Sequence, residues 1–163
     1  MKGYKHYIFD WGDTLMVDLP GQVGPMCNWP EIKVLDGAAK CLSALSKVAK
    51  CHVATNALDS SESEIRSAFV RAGLSQFIET IFCANTIGKS KPDPECFQFI
   101  IDALGAPLND ILMVGDSLDK DVQGALNVGI QAVWFNPANL SVASDVTAIS
   151  QLIELVNYSE SLG

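Results

Sequence analysis

Ile111-Leu112-Met113-Val114 is an unbroken apolar run that ends in Gly115-Asp116-Ser117. Consecutive apolar residues leave no face for water. The run therefore reads as a strand covered on both sides, the mark of an interior strand in a parallel sheet. Four similar runs flank it in sequence: His6-Tyr7-Ile8-Phe9, Cys51-His52-Val53-Ala54, Thr80-Ile81-Phe82-Cys83 and Ala132-Val133-Trp134-Phe135.

Helical patterns separate the runs. Between Gly37 and Lys50, residues Ala38, Leu42, Leu45 and Ala49 share one face. Ser61-Glu62-Ser63-Glu64 has the form of a capping box, opening a helix with Ile65 and Phe69 inward that stops at Gly73. Asp93-Pro94 is an N-cap followed by proline at the first helical position. The helix behind it buries Phe97, Ile100, Ile101 and Leu104 and ends at Gly105. Two more helices are expected, from about Asp119 to Val128 and from about Val146 to Val156. Strand–helix alternation at this spacing predicts an α/β fold: three layers, Rossmann-like, with a five-strand parallel sheet.

The 163 residues suffice for one domain, 1–163, with a core of its own. Apolar residues are 48% and charged residues 18%, as expected of a globular chain. Eleven basic residues against nineteen acidic ones give a net charge of −8. That balance offers no patch for nucleic acid and no polybasic membrane anchor. No apolar run is long enough to span a bilayer, and MKGYKHYIFD meets an Asp before a signal-peptide stretch could form. Five cysteines with no CxxC pair read as reduced, buried thiols in a cytoplasmic protein. Residues 16–33, with Pro20, Gly21, Gly24, Pro25 and Pro30, are too broken for a helix and too long for an ordinary connection. They are expected to form a flap, or short lid, beside a site.

Ligands of an open parallel sheet bind beyond the carboxyl ends of its strands. Those ends carry Asp10; Thr55-Asn56; Lys89 and Lys91, in the loop after the third strand; and Asp116-Ser117, followed by Asp119 and Asp121. Two carboxylates meeting at adjacent strand ends repel each other unless a cation lies between them, and an oxygen donor set suits Mg2+. A carboxylate held there can attack phosphorus, while an ammonium and a hydroxyl hold the other phosphoryl oxygens.

Four segments together resemble the motifs of the haloacid dehalogenase superfamily of hydrolases. They are Phe9-Asp10-Trp11-Gly12-Asp13-Thr14-Leu15, Val53-Ala54-Thr55-Asn56, Lys91-Pro92-Asp93-Pro94-Glu95, and Val114-Gly115-Asp116-Ser117 through Asp121. The resemblance implies a phosphatase working through an aspartyl-phosphate. Asp10 would be nucleophile and Mg2+ ligand, joined at the metal by the Gly12 carbonyl, Asp116 and Asp121, the last as ligand or as orienter. Thr55 and Lys91 would bind the phosphoryl group. Trp11, Asn56 and Ser117 are expected to contact the phosphorylated substrate, with Trp11 and Trp29 toward the leaving group. Neither residues 16–36 nor residues 57–90 leave room for a separate cap domain. The chain therefore resembles capless members, which act on bulky phosphoesters or close their sites by homo-oligomerising.

The sequence departs from the family at one place. Phosphatases of this superfamily carry an acid–base Asp two residues after the nucleophile, where this chain has Gly12, with Asp13 one place later. Either Asp13 reaches the leaving oxygen from a shifted loop, or its side chain points elsewhere and the acid is lost. Alternation of adjacent side chains favours loss. A metal-independent hydrolase of the dehalogenase type, and a catalytically weak protein that binds phosphorylated ligands, are the competing functions.

Overall fold

The computed structural model describes residues 3–162 of the expected 1–163 domain. Six parallel strands lie in the order β3-β2-β1-β4-β5-β6. They are β1 (His6–Phe9), β2 (Lys50–Thr55), β3 (Ile78–Cys83), β4 (Ile111–Gly115), β5 (Gln131–Phe135) and β6 (Ala148–Ile149). Every residue of β4 is buried, as its unbroken apolar run requires. The helices are α1 (Ala38–Leu45), α2 (Glu62–Ala72), α3 (Ala84–Ile87), α4 (Pro94–Leu104), α5 (Gly124–Asn127) and α6 (Ile153–Leu162).

The sixth strand corrects the expectation of five. Its residues lie inside the segment 146–156, which reads as one helix by periodicity. Ala148 and Ile149 instead extend the sheet along β5, through Trp134 N–H to the Thr147 carbonyl (2.8 Å) and Asn136 N–H to the Ile149 carbonyl (2.7 Å). The helix starts only at Ile153, where the Glu154 carboxylate accepts the Ser150 and Gln151 N–H groups (3.0 and 2.9 Å). The helix expected over 119–128 is also different in kind. It begins as a π-wound stretch, Leu118–Gln123, and becomes regular only at α5.

Strand alternation produces two cores, one on each face of the sheet. Tyr7, Phe9, Cys51, Val53, Leu112, Val114, Val133 and Phe135 face α1, α2 and α6. Ile8, Ala54, Ile111, Met113, Ala132 and Trp134 face α4 and α5. The local signals are all present at the helix ends. Ser61 and Glu64 form a complete capping box, Asp93 caps α4 ahead of Pro94, and Gly73 and Gly105 close their helices in the left-handed conformation. Four of the five cysteines are buried as expected, and burial pushes the Cys41 and Cys51 thiols up to about 12. Cys27, in the flap, is half-exposed and corrects the expectation of five core thiols. No separate cap domain is present among the described residues, and none of their helices is long and apolar enough to cross a membrane.

The molecule's two histidines stack at a centroid distance of 5.3 Å, with His6 Nδ1 3.0 Å from His52 Nε2. His52 is 1% exposed, and burial followed by the His6 charge lowers its pKa to about 4. The unfolded chain therefore takes up a proton near pH 6.5 that the folded chain refuses until about pH 4. Stability is fully retained above that window and lost as pH falls through it, by on the order of 3 kcal/mol. His52→Phe should flatten urea-unfolding stability between pH 6.5 and pH 4 relative to wild type. An unchanged slope would assign the acid loss elsewhere.

Candidate active site

The register of the three central strands builds the site. β1 pairs with β2 on one side and β4 on the other, with Phe9 level with Val53 and Val114. The residues at or just past those strand ends, Asp10, Thr55-Asn56 and Asp116, therefore come together at one edge. They line a cleft of about 650 Å3 that also takes in Lys91, Ser117, Lys120 and Asp121. Trp11, Gly12, Asp13, Asp18, Met26 and Trp29 form its flap side.

Lys91 is the hinge of the charge pattern. Its Nζ lies 3.0 Å from Asp10 Oδ1 and 2.6 Å from Asp121 Oδ1, with the ammonium side chain 2% exposed and that of Asp121 1%. Burial alone would lower the Lys91 pKa, but the carboxylates of Asp10 and Asp121 outweigh it and the net direction is up. The backbone beside Lys91 is held by Asn56, whose amide donates to the Lys91 carbonyl and accepts its N–H, both at 2.8 Å. Asn56 thus lines the cleft with its amide bonded to the Lys91 backbone. Lys89 lies outside, paired with Glu95 at 3.6 Å.

Asp121 comes from the first turn of the π-wound helix. Its Oδ2 accepts the Ser117 N–H at 3.0 Å, so both oxygens already have partners. Its side chain lies against the Gly115 backbone. A Cβ at Gly115 would stand 2.1 Å from Asp121 Oδ2 and 2.5 Å from Asp121 Cβ, which is why the strand ends in glycine. Thr14 ties the two other acids together: its hydroxyl reaches Asp10 Oδ2 at 3.4 Å and Asp116 Oδ1 at 3.2 Å. Burial, then contact with the Asp10 carboxylate, pushes Asp116 up to about 7. Thr55 is buried and accepts the Ala57 N–H, and Ser117 caps its helix by accepting the Lys120 N–H.

Asp10, Asp116 and Asp121 place carboxylate oxygens within 4.8 Å of one another. The cluster holds three carboxyl groups and one buried ammonium, which pairs with Asp10 and Asp121 and leaves Asp116 without a cation. A divalent cation with oxygen preference fits that donor set.

The flap is fastened rather than loose. Its one helical turn is Met26–Asn28. The Arg71 guanidinium, from α2, donates to the carbonyls of Cys27, Trp29 and Pro30. Trp29 Nε1 donates to the Gly24 carbonyl at 2.9 Å, and the ring both joins the core and walls the cleft. Trp11 packs on Phe69, and its buried indole N–H has no partner among the described residues. Asp13 adopts a left-handed φ of 58°, and its Oδ1 accepts the Asp18 N–H at 3.0 Å.

Asp18, Asp59 and Lys120 line the cleft, and Thr14 lies buried beneath its acids, with no role assigned to any of them by the sequence alone. Thr14 meets Asp116 across about a hundred residues of chain, a pairing no local pattern carries. Asp18 lies in the flap, whose sequence has no periodicity.

The sequence profile of the haloacid dehalogenase-like hydrolases matches residues 25–135, more than half of the chain, beginning after the Asp10 segment. The chain is 27% identical over 129 residues to the pyrimidine 5'-nucleotidase YjjG of Escherichia coli, covering 75% of this chain and 56% of that protein. It is 38% identical over 69 residues to a phosphoserine phosphatase of Thermus thermophilus, covering 42% and 28%. The chain thus spans little more than half the length of the first of these relatives and about a quarter of the second. In fold it is similar to an uncharacterized protein from Listeria monocytogenes serotype 4b, with a TM-score of 0.85 and 24% identity over 97% of this chain and 98% of that one.

Proposed function

The chain belongs to the haloacid dehalogenase-like hydrolases, and from that premise we propose that it is a Mg2+-dependent phosphatase acting through an aspartyl-phosphate on Asp10. The observation that carries this reading is the buried Lys91 ammonium between Asp10 and Asp121, with Asp116 joined to Asp10 through Thr14. Asp116 adds an oxygen donor for a cation beside the nucleophile, which a metal-independent site does not require. Relatives named as phosphatases and nucleotidases support the same reading.

Asp10, Asp116 and the Gly12 carbonyl would hold the cation, and Asp121, with both oxygens engaged, would orient Lys91. When bound, Mg2+ supplies positive charge that offsets the phosphoryl oxygens and the clustered carboxylates. The Asp10 carboxylate attacks phosphorus. Lys91 and the Thr55 hydroxyl hold the non-bridging oxygens and stabilise the charge that builds on them. The substrate is a small or bulky phosphate monoester admitted by the open cleft, and the flap residues 16–33 form one wall.

Phosphate release from p-nitrophenyl phosphate, with Mg2+ and with EDTA, tests the reading. Turnover with Mg2+ and its loss in EDTA are expected. Undiminished turnover in EDTA would favour the metal-independent hydrolase, and no release under either condition would leave a phospho-ligand binder. A second readout does not depend on activity. Mg2+ should raise the melting temperature of the wild type, by mass action on the folded state. Asp116→Ala, folded, should lose most of that rise, and an undiminished rise would remove Asp116 from the cation site.

A further inference from the structure

Resting on the phosphatase reading, we propose that Asp18, in the flap, is the group that protonates the leaving oxygen and then deprotonates the attacking water. Expelling an alkoxide needs a proton from a group on the cleft wall beside the nucleophile, with a carboxyl oxygen to spare. Six aspartates line the cleft. Asp10 is the nucleophile. Asp121 has both oxygens bound, and Asp116 is hydrogen-bonded to Thr14 within the cation cluster. Asp59 Oδ1 accepts the Ser60 hydroxyl and Asp13 Oδ1 accepts the Asp18 N–H, so each is held by a local bond through one oxygen and keeps the other open; placement, not elimination, separates them from Asp18. Among the described residues, no hydrogen bond or ion pair engages the Asp18 carboxylate.

Placement points to the same residue. Gly12 lies two residues from Asp10 and has no side chain. A Cβ built on it would meet nothing nearer than Asp18 Cβ, at 3.7 Å. The space Gly12 leaves beside the nucleophile is thus faced by Asp18. The backbone that presents Asp18 is pinned. Asp13 Oδ1 holds the Asp18 N–H at 3.0 Å, and the Val17 N–H is bonded to the Lys33 carbonyl at 2.8 Å. Asp13 pays for a left-handed φ with that local bond, a role aspartate tolerates better than most residues. Asp13 is therefore a positioning residue acting through Asp18.

The steps balance. As Asp10 oxygen bonds to phosphorus and the ester P–O bond breaks, the carboxylic proton of Asp18 passes to the departing oxygen and the alcohol leaves. Asp18, now a carboxylate, takes a proton from water as the water oxygen bonds to phosphorus. The bond between phosphorus and Asp10 breaks, phosphate leaves, and Asp18 is again protonated.

The test compares wild type, Asp18→Asn, Asp13→Ala, Asp13→Asn and the double variant Gly12→Asp/Asp18→Asn, all with Mg2+. The substrates are p-nitrophenyl phosphate and an alkyl phosphate such as glycerol phosphate. Asp18 is exposed, so Asp18→Asn should melt with the wild type. It should lose ~10²–10⁴-fold in kcat on the alkyl ester. On the aryl ester, rapid quench should show a burst of about one equivalent of nitrophenol followed by slow turnover, because the first step needs no acid and the second lacks its base. Gly12→Asp, whose Cβ fits without clash, should return part of the alkyl rate to Asp18→Asn. Asp13→Ala should lower the alkyl rate, and Asp13→Asn, which keeps the acceptor oxygen, should recover it. Asp18→Asn with the wild-type alkyl rate would overturn the proposal, as would an Asp13→Asn variant as slow as Asp13→Ala. Wild type that releases no phosphate from either ester would overturn the phosphatase reading itself, a distinct outcome.

Discussion

Asp10→Asn is expected to abolish phosphate release while leaving the protein folded and, without divalent cation, at least as stable as wild type. An amide is too weak a nucleophile to form the acyl-phosphate, and removing the nucleophile from a site that acts as a unit costs on the order of 10⁶-fold. The stability expectation has the opposite sign to an ordinary core substitution. Asp10 is one of three clustered carboxylates, and neutralising it relieves its repulsion with Asp116 and Asp121 while Lys91 keeps its pair with Asp121. Melting curves in EDTA and in Mg2+ check both halves. The variant should equal or exceed wild type in EDTA and gain less from Mg2+. Residual turnover within tenfold of wild type would remove Asp10 from the role of nucleophile.

Lys91→Met should be the most destabilising change in the cleft. The side chain is nearly isosteric, but it strands the Asp121 carboxylate, 1% exposed, with only the Ser117 N–H for company. Breaking a buried pair by removing one partner costs about 3–5 kcal/mol. Asp121→Asn added to Lys91→Met should recover most of that stability without restoring turnover, since the phosphoryl group still lacks its ammonium. Denaturant unfolding of the two single variants and the double closes the cycle. Additive losses would mean that the pair is not coupled, and Lys89→Ala slowing the rate more than Lys91→Met would move the phosphoryl contact to the exposed lysine.

Some of this architecture was written locally. β1 occupies the four residues its apolar run marks, and the Ser61–Glu64 and Asp93-Pro94 signals stand at the helix starts they announce. These features depend on neighbours a few residues away, which a sequence displays directly. The strand ends that gather Asp10, Thr55, Lys91 and Asp116 follow from the parallel sheet once the alternation is recognised. What escaped depends on partners far along the chain. Ala148–Ile149 is a strand because β5 offers a free edge, not because two residues show a period. The pairing of the Asn56 amide with the Lys91 backbone spans 35 residues, and no local pattern announces it. The exchange of Gly12 and Asp13 is visible in the sequence. Its consequence is not, because it turns on where the flap returns Asp18.

The Arg71 clasp bears on how large a molecule the cleft admits. Three carbonyls of the flap converge on one guanidinium through charge-assisted bonds. Swinging the flap outward would break all three together and pull the Trp29 ring from the core as well. The aperture is therefore cast when the chain folds, and the bulk a phosphate may carry is decided by a fixed rim instead of by closure around whatever has entered.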